Sequence, residues 1–372
     1  MPEAPLVPLR LDSALLPPAA QWAGGLDAKL PVDMAVALRE GAFVKPAGHA
    51  FDAKVATNMR DRRAYLKAPP ASARLPVSYQ TVPGPLRRVL AGAYGRVQRF
   101  RSSRWADFPG WPLDLSADIA ADLLGPPSIS FATTPVLLTH DLDSPEGLAN
   151  LVDMFLSVEE AVGARSANYI VPCAWPIDDE KLKIVQAQGH EIGVHGYDHS
   201  NKTSFLGPHE RKIRLDAGRV FADRYQASGY RAPSLVRSEA LIEALTSRYR
   251  YDSSIPTSGG LFPVPNNGCA SARPWRIGGM WELPLSMPRD GSLRFLGYGA
   301  DDIAKLWWEC AEAISRSGGV VVLLTHCEGG FSGNAPMLSA YRRFLAKISN
   351  DSRFQFMRPV DFVDLLDRET HS

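Results

Sequence analysis

From Thr134 onward, short apolar runs rich in β-formers alternate with longer stretches of helical spacing, and that rhythm admits few folds. The strand-like runs fall at 135–140, 167–171, 191–195, 248–253, 281–285, 320–325 and 354–357. Between the first two, Ser144-Pro145-Glu146 supplies an N-cap hydroxyl, a proline at the first helical position and an acid in the first turn. Leu148, Leu151, Val152 and Phe155 then recur at helical spacing. A second helix is predicted from Ile303, Leu306, Trp307, Cys310, Ala311 and Ile314, stopped by Gly318-Gly319 just before the next strand. Strands joined through helices run parallel, because the crossover returns the chain to the same end of the sheet. The expected fold class is α/β, an open sheet or a barrel.

The first 130 residues lack this rhythm. They hold sixteen basic and eleven acidic residues, against 25 and 29 in the remainder. The chain is therefore divided into an accessory segment, 1–130, and a main domain, 131–372. From Arg62 to Ala106 there are ten basic residues and no acid, and WADFPGWP follows with Trp105, Phe108 and Trp111 among prolines. Two uses of this stretch stand open. Arg96, Arg99 and Arg101 could face an acidic substrate, with Trp105 and Trp111 stacking on sugar rings. Alternatively, LRRVLAGAYGRVQR is a solvated helix and the tryptophans only pack the segment onto the main domain.

Composition excludes some classes. A net charge of +1 over 372 residues argues against a dedicated nucleic-acid binder. The most apolar run, VVVLL at 320–324, falls far short of the ~20 residues that cross a bilayer. No basic leader precedes an unbroken apolar stretch, so a secretory signal is not expected. Cys173, Cys269, Cys310 and Cys327 lack CxxC spacing and read as free thiols of a cytoplasmic protein.

In α/β folds, reactive side chains collect at the C-terminal ends of strands. Those ends carry Thr139-His140-Asp141-Leu142-Asp143, then His195-Gly196-Tyr197-Asp198-His199, and finally Leu324-Thr325-His326. GYRAPS, 229–234, lies between the second and third. His195 and His199 are four apart and with Asp143 could form a two-His, one-carboxylate metal site with open positions. Taken alone, HxxxH fits two unrelated histidines equally well. Asp141 and Asp143 repel one another at an apolar strand end unless a cation lies beside them, although DLDSPE also suits a solvated loop. Arg231 alone reads as a surface arginine before a proline turn. His326 finishes a buried strand, as either a satisfied core residue or a site residue.

The ordered set D-x-D, GHEIGVHGYDH, GYRAPS and LLTH, over about 136 to 330, resembles the motifs of the NodB-like polysaccharide deacetylases, a carbohydrate esterase family. The resemblance implies a distorted (β/α) barrel and hydrolysis of an N-acetyl or O-acetyl group. It implies that Asp141 is the general base, and that Asp143, His195 and His199 hold one divalent metal, with zinc the expected ion. Arg231 would hold the base, the turn at Ser234 would offer an N–H to the oxyanion, and His326 would protonate the leaving group. Asp290 is the first choice for the acid that orients His326, and Glu282 the second. The sequence departs from the family where His140 occupies an aromatic slot, where Gly196 replaces Ser/Thr, and where Ser234 replaces an aromatic.

The chemistry is coherent in its own terms. A divalent metal polarises an amide carbonyl, a carboxylate takes a proton from water, and a histidine gives one to the departing nitrogen. The expected function is cytoplasmic N-deacetylation of an acetamido sugar in a surface-polysaccharide biosynthetic intermediate, of O-antigen or capsule type. That substrate would be acidic or phosphate-linked. The rivals are an amidase acting on a cyclic ureide or imide, and a catalytically silent glycan-binding module.

Overall fold

The computed structural model describes residues 6–11, 26–31, 64–75, 84–102, 129–259 and 268–370, together with Leu113, Leu115 and Asp118. Arg62, Arg63, Arg104 and the aromatic residues Trp105, Phe108 and Trp111 lie outside them, as do the side chains of Arg87 and Arg88. An N-terminal pair, β1 (Leu6–Leu11) and β2 (Leu26–Pro31), is antiparallel.

The remaining strands form one curled sheet. They are β3 (Thr134–Leu142), β4 (Ala167–Ile170), β5 (Glu191–Val194), β6 (Gly229–Tyr230), β7 (Tyr251–Asp252), β8 (Trp275–Ile277), β9 (Met280–Glu282), β10 (Val321–His326) and β11 (Phe354–Phe356). Their order is β10-β3-β4-β5-β6-β7-β9-β8, with β11 beside the start of β3. Every pairing is parallel except that of β8 with β9. β3 is buried along its whole length, as expected of a strand covered on both faces. Beyond β9 the chain reaches β10 without forming a strand. Met287 N–H donates to the Val322 carbonyl (3.2 Å), and the Ser286 hydroxyl donates to the Val320 carbonyl (2.6 Å) while accepting from Val322 N–H (2.8 Å). The result is a distorted (β/α) barrel.

Alternation decides what faces inward. Leu137, Tyr169, Val322 and Leu324 belong to the inner core, whereas Val136, Leu138, Leu142, Val321 and Leu323 pack against the helices. Asp141 shares the inward face with Leu137, and His326 with Leu324. The helix after β3 starts at Pro145 and is capped by the Ser144 hydroxyl, which accepts from Gly147 N–H, as its sequence predicts. The later predicted helix spans Ala300–Arg316, and Gly318 takes the left-handed conformation just beyond it. β6 and β8 were not anticipated: two or three residues carry no measurable period.

Described residues from the first 130 join this core. Leu113 and Leu115 are buried in it, and Asp118 accepts from the Ser271 hydroxyl (2.5 Å) and from Ala272 N–H (2.8 Å). The helix Gly84–Ser102 packs on the helix Asp290–Phe295, and Arg99 donates to the Leu296 carbonyl (3.1 Å). Among the described residues, no helix is long and apolar enough to cross a membrane.

At the barrel floor, Glu191 accepts from the Tyr251 hydroxyl (2.6 Å) and from Val360 N–H (3.0 Å). Burial pushes its carboxyl up to about 7 from 4.5. A raised carboxyl favours the folded state fully below pH 4.5, and that contribution is lost as pH rises through 7. Glu191→Gln is therefore expected to remove a pH-dependent loss of roughly 3 kcal/mol over this window. Urea titrations of both proteins across it check this, and parallel stability curves would refute it.

Candidate metal and catalytic site

The parallel register brings the site residues to one rim. His326 lies opposite Asp141 across β10 and β3, and Asp141 lies opposite Tyr169 of β4. Asp143 directly follows β3, His195 directly follows β5, and Arg231 directly follows β6. A slip of one residue would turn each of these side chains to the wrong face.

Asp143, His195 and His199 come together with ligand atoms all within 4.8 Å of one another. Asp143 Oδ1 is 3.2 Å from His199 Nε2 and 3.5 Å from His195 Nε2, and Asp141 Oδ2 is also 3.5 Å from His195 Nε2. His195 Nδ1 lies 3.0 Å from the Arg231 carbonyl, which can only accept, so Nδ1 carries the hydrogen. Burial lowers the pKa of His195 despite the two carboxylates, so the ring is neutral and Nε2 is a bare lone pair. That lone pair faces two carboxylates, and neither it nor Asp143 Oδ1 has a hydrogen-bond partner. Both aspartates stay below their usual carboxylate range, because the charges facing them, His199 for Asp143 and Arg231 with His326 for Asp141, outweigh burial. A buried lone pair between anionic oxygens repels them, and a cation converts that repulsion into coordination. The donor set of two imidazoles and one carboxylate suits zinc or a similar divalent ion.

Arg231 is buried, and each of its guanidinium nitrogens donates a hydrogen bond. It donates to Asp141 Oδ1 (3.0 Å), to the Thr139 hydroxyl (2.9 Å), to the Ser253 carbonyl (3.0 Å) and to the Ser253 hydroxyl (2.9 Å). Its guanidinium also lies over the Tyr169 ring. Four hydrogen bonds allow one orientation, and Asp141 is held in turn.

Opposite, His326 Nδ1 lies 2.8 Å from Asp290 Oδ1, and Asp290 Oδ2 accepts from His326 N–H (2.8 Å) and from the Ser332 hydroxyl (2.7 Å). Burial works against the imidazolium, but the Asp290 carboxylate overcomes it and pushes His326 up to about 10. Glu282 is not at this position. It accepts from Ile255 N–H (2.9 Å) and couples with Asp252, and burial drives it well above the usual range. Ser234 and Leu235 are both left-handed, with φ of 52° and 56°. The turn is tied by Leu235 N–H to the Ala232 carbonyl and Val236 N–H to the Pro233 carbonyl.

The departures from the family pattern have physical reasons. At Gly196, φ is +69°, and a Cβ there would lie 2.4 Å from Pro233, so the histidine loop and the GYRAPS turn touch through it. His140 points away from the site. Its Nδ1 lies 2.8 Å from the Thr325 hydroxyl and its Nε2 2.6 Å from Glu159 Oε1, with neither side chain exposed.

Several supporting groups escaped sequence reasoning. Glu328 accepts from Asp143 N–H (3.0 Å) and from the Ser144 hydroxyl (2.9 Å), and burial, then the Asp143 charge, pushes it up to about 7. The available signal was its place two residues past His326 in a strand-end loop. Ser72, far away in sequence, accepts from Asn201 (3.0 Å) beside the His199 loop.

No family model matches the chain, and no curated protein matches it in sequence. Solved structures do. A Mycobacterium smegmatis protein assigned as a polysaccharide deacetylase superposes with a TM-score of 0.53 at 19% identity, covering 65% of this chain and 94% of that one. Puue allantoinase superposes with a TM-score of 0.53 at 14% identity, covering 70% and 97%. The chain has the NodB-like deacetylase fold, the distorted (β/α) barrel that these structures share.

Proposed function

We propose that the protein is a metal-dependent hydrolase that removes an N-acetyl group from an acetamido sugar. The observation carrying this reading is the bare His195 Nε2 beside Asp141 and Asp143, flanked by two separately oriented proton-handling groups. Residues 131–372 would form the catalytic domain and 1–130 the accessory segment. Asp143, His195 and His199 would hold the ion, which when bound polarises the acetyl carbonyl and acidifies water.

The remaining roles belong to the chain itself. Asp141, locked by Arg231, accepts the proton of the attacking water. The turn at Ser234 supplies an N–H to the developing oxyanion. His326, protonated at neutral pH and held by Asp290, passes its proton to the departing amine nitrogen. Four free thiols favour a reducing compartment, and hence an intracellular biosynthetic intermediate of a surface polysaccharide over a finished wall polymer. Amidase action on a cyclic ureide is the second reading, favoured by the superposition on an allantoinase.

His199→Ala is expected to weaken binding of the ion by at least about 100-fold, the upper end of effects measured for mere supporting groups. It should leave the fold intact. Elemental analysis after dialysis, alongside acetate release from acetylated nucleotide-sugars and lipid-linked glycans, tests both halves. Full metal content in the variant would discard the ligand set, and turnover of allantoin alone would favour the second reading.

A further inference from the structure

The helix Gly84–Ser102 is built with its apolar side outward. Leu86, Val89, Leu90, Ala93, Tyr94, Val97 and Phe100 recur at helical spacing, and at 100° per residue they fill an arc of about 140°. That arc is solvent-facing: Phe100 is 82% exposed, Val89 68% and Leu90 58%. The opposite side is the one that packs. A Cβ at Gly95 would lie 2.1 Å from the Phe295 carbonyl oxygen, Gln98 is buried, and Arg99 donates to the Leu296 carbonyl and lies against the Tyr298 ring. Arg99 is thus spent on holding the helix, whereas Arg96 is exposed just beyond one edge of the apolar arc and Arg101 is exposed just inside the other. A contiguous stripe of this kind on a folded protein marks a contact surface.

We propose that this helix docks the protein on an anionic lipid surface. Charge selects this occupant. No acid occurs between Arg62 and Ala106, so two copies paired through the stripe would set arginine margins against each other with nothing to neutralise them. A bilayer interface takes the apolar arc between its headgroups and receives Arg96 and Arg101 at phosphate level. The helix rests on Asp290–Phe295, whose first residue holds His326, so docking would bring the barrel mouth next to lipid-borne material. This inference does not depend on the metal chemistry.

The test uses the full chain and flotation with phosphatidylcholine vesicles, with and without phosphatidylglycerol. Binding is expected on the anionic vesicles, tighter by about tenfold or more than on the neutral ones and weakened by salt. Val89→Glu with Phe100→Glu should abolish it, and Arg96→Gln with Arg101→Gln should reduce it and flatten its salt dependence. Unchanged melting midpoints are expected in both, because all four side chains are exposed. A milder Phe100→Ser variant, checked by circular dichroism, guards against misfolding. Absence of vesicle binding, or binding indifferent to the position 89 and 100 changes, would overturn the proposal. So would a dimer in solution that Phe100→Ser dissociates while vesicles are ignored.

Discussion

Asp141→Asn is expected to keep the metal and to lower kcat by about a thousandfold, within the usual range for a lost general base. The argument rests on what the amide retains. Asparagine can still accept from Arg231 Nη1, as Asp141 Oδ1 does at 3.0 Å, so the four-bonded guanidinium and the strand end keep their positions. It cannot take a proton from water. Burial would raise the Asp141 carboxyl, but the Arg231 and His326 charges hold it below its usual range, so the wild-type group is ionised at neutral pH. Mass spectrometry of the native protein gives the metal content, and acetate release gives kcat. Loss of the ion together with activity would make Asp141 a ligand, which its 3.5 Å approach to His195 Nε2 permits geometrically. Retained activity would place the base elsewhere.

Glu159→Ala is expected to have the largest effect on stability, about 3–5 kcal/mol. Glu159 is buried behind the site strand and held below its usual range, since His140, then His190, outweigh the cost of burial. Its Oε1 lies 2.6 Å from His140 Nε2 and accepts from the Tyr341 hydroxyl at 2.7 Å. Removing the carboxylate strands three polar groups in a dry layer between sheet and helix. His140→Phe alone should also destabilise, because Glu159 would lose its closest partner. Joining His140→Phe with Glu159→Leu should recover most of the loss, since replacing both members of a buried pair costs far less than removing one. Denaturant unfolding of the two singles and the double measures the coupling directly. Additive losses in the double would show that the pair is not a unit.

The sequence disclosed what is local. The strand ends carrying Asp141, His195 and His326 were legible because a buried parallel strand is a largely apolar run, and the polar residue that ends it stands out. Ser144 declared the following helix by its own chemistry. What stayed hidden is set by long-range packing. β6 is two residues long and β8 three, too short for any period. Glu159 and Glu328 look like ordinary helix and loop acids until the fold places them against His140 and Asp143. The helix at 84–102 drew attention for its arginines, while the side that packs is decided by Gly95 meeting Phe295, a contact 200 positions away.

The seam between the residues after β9 and strand β10 gives the barrel an order of failure. Two of its three bonds pass through one hydroxyl, Ser286, so a local opening there disrupts less than separating a full ladder would. Asp290 follows Ser286 by four residues, whereas Asp143, His195 and His199 hang on β3 and β5, on the far side of β10. On heating, the Asp290 contact to His326 is expected to loosen before the strand ends that carry Asp143, His195 and His199.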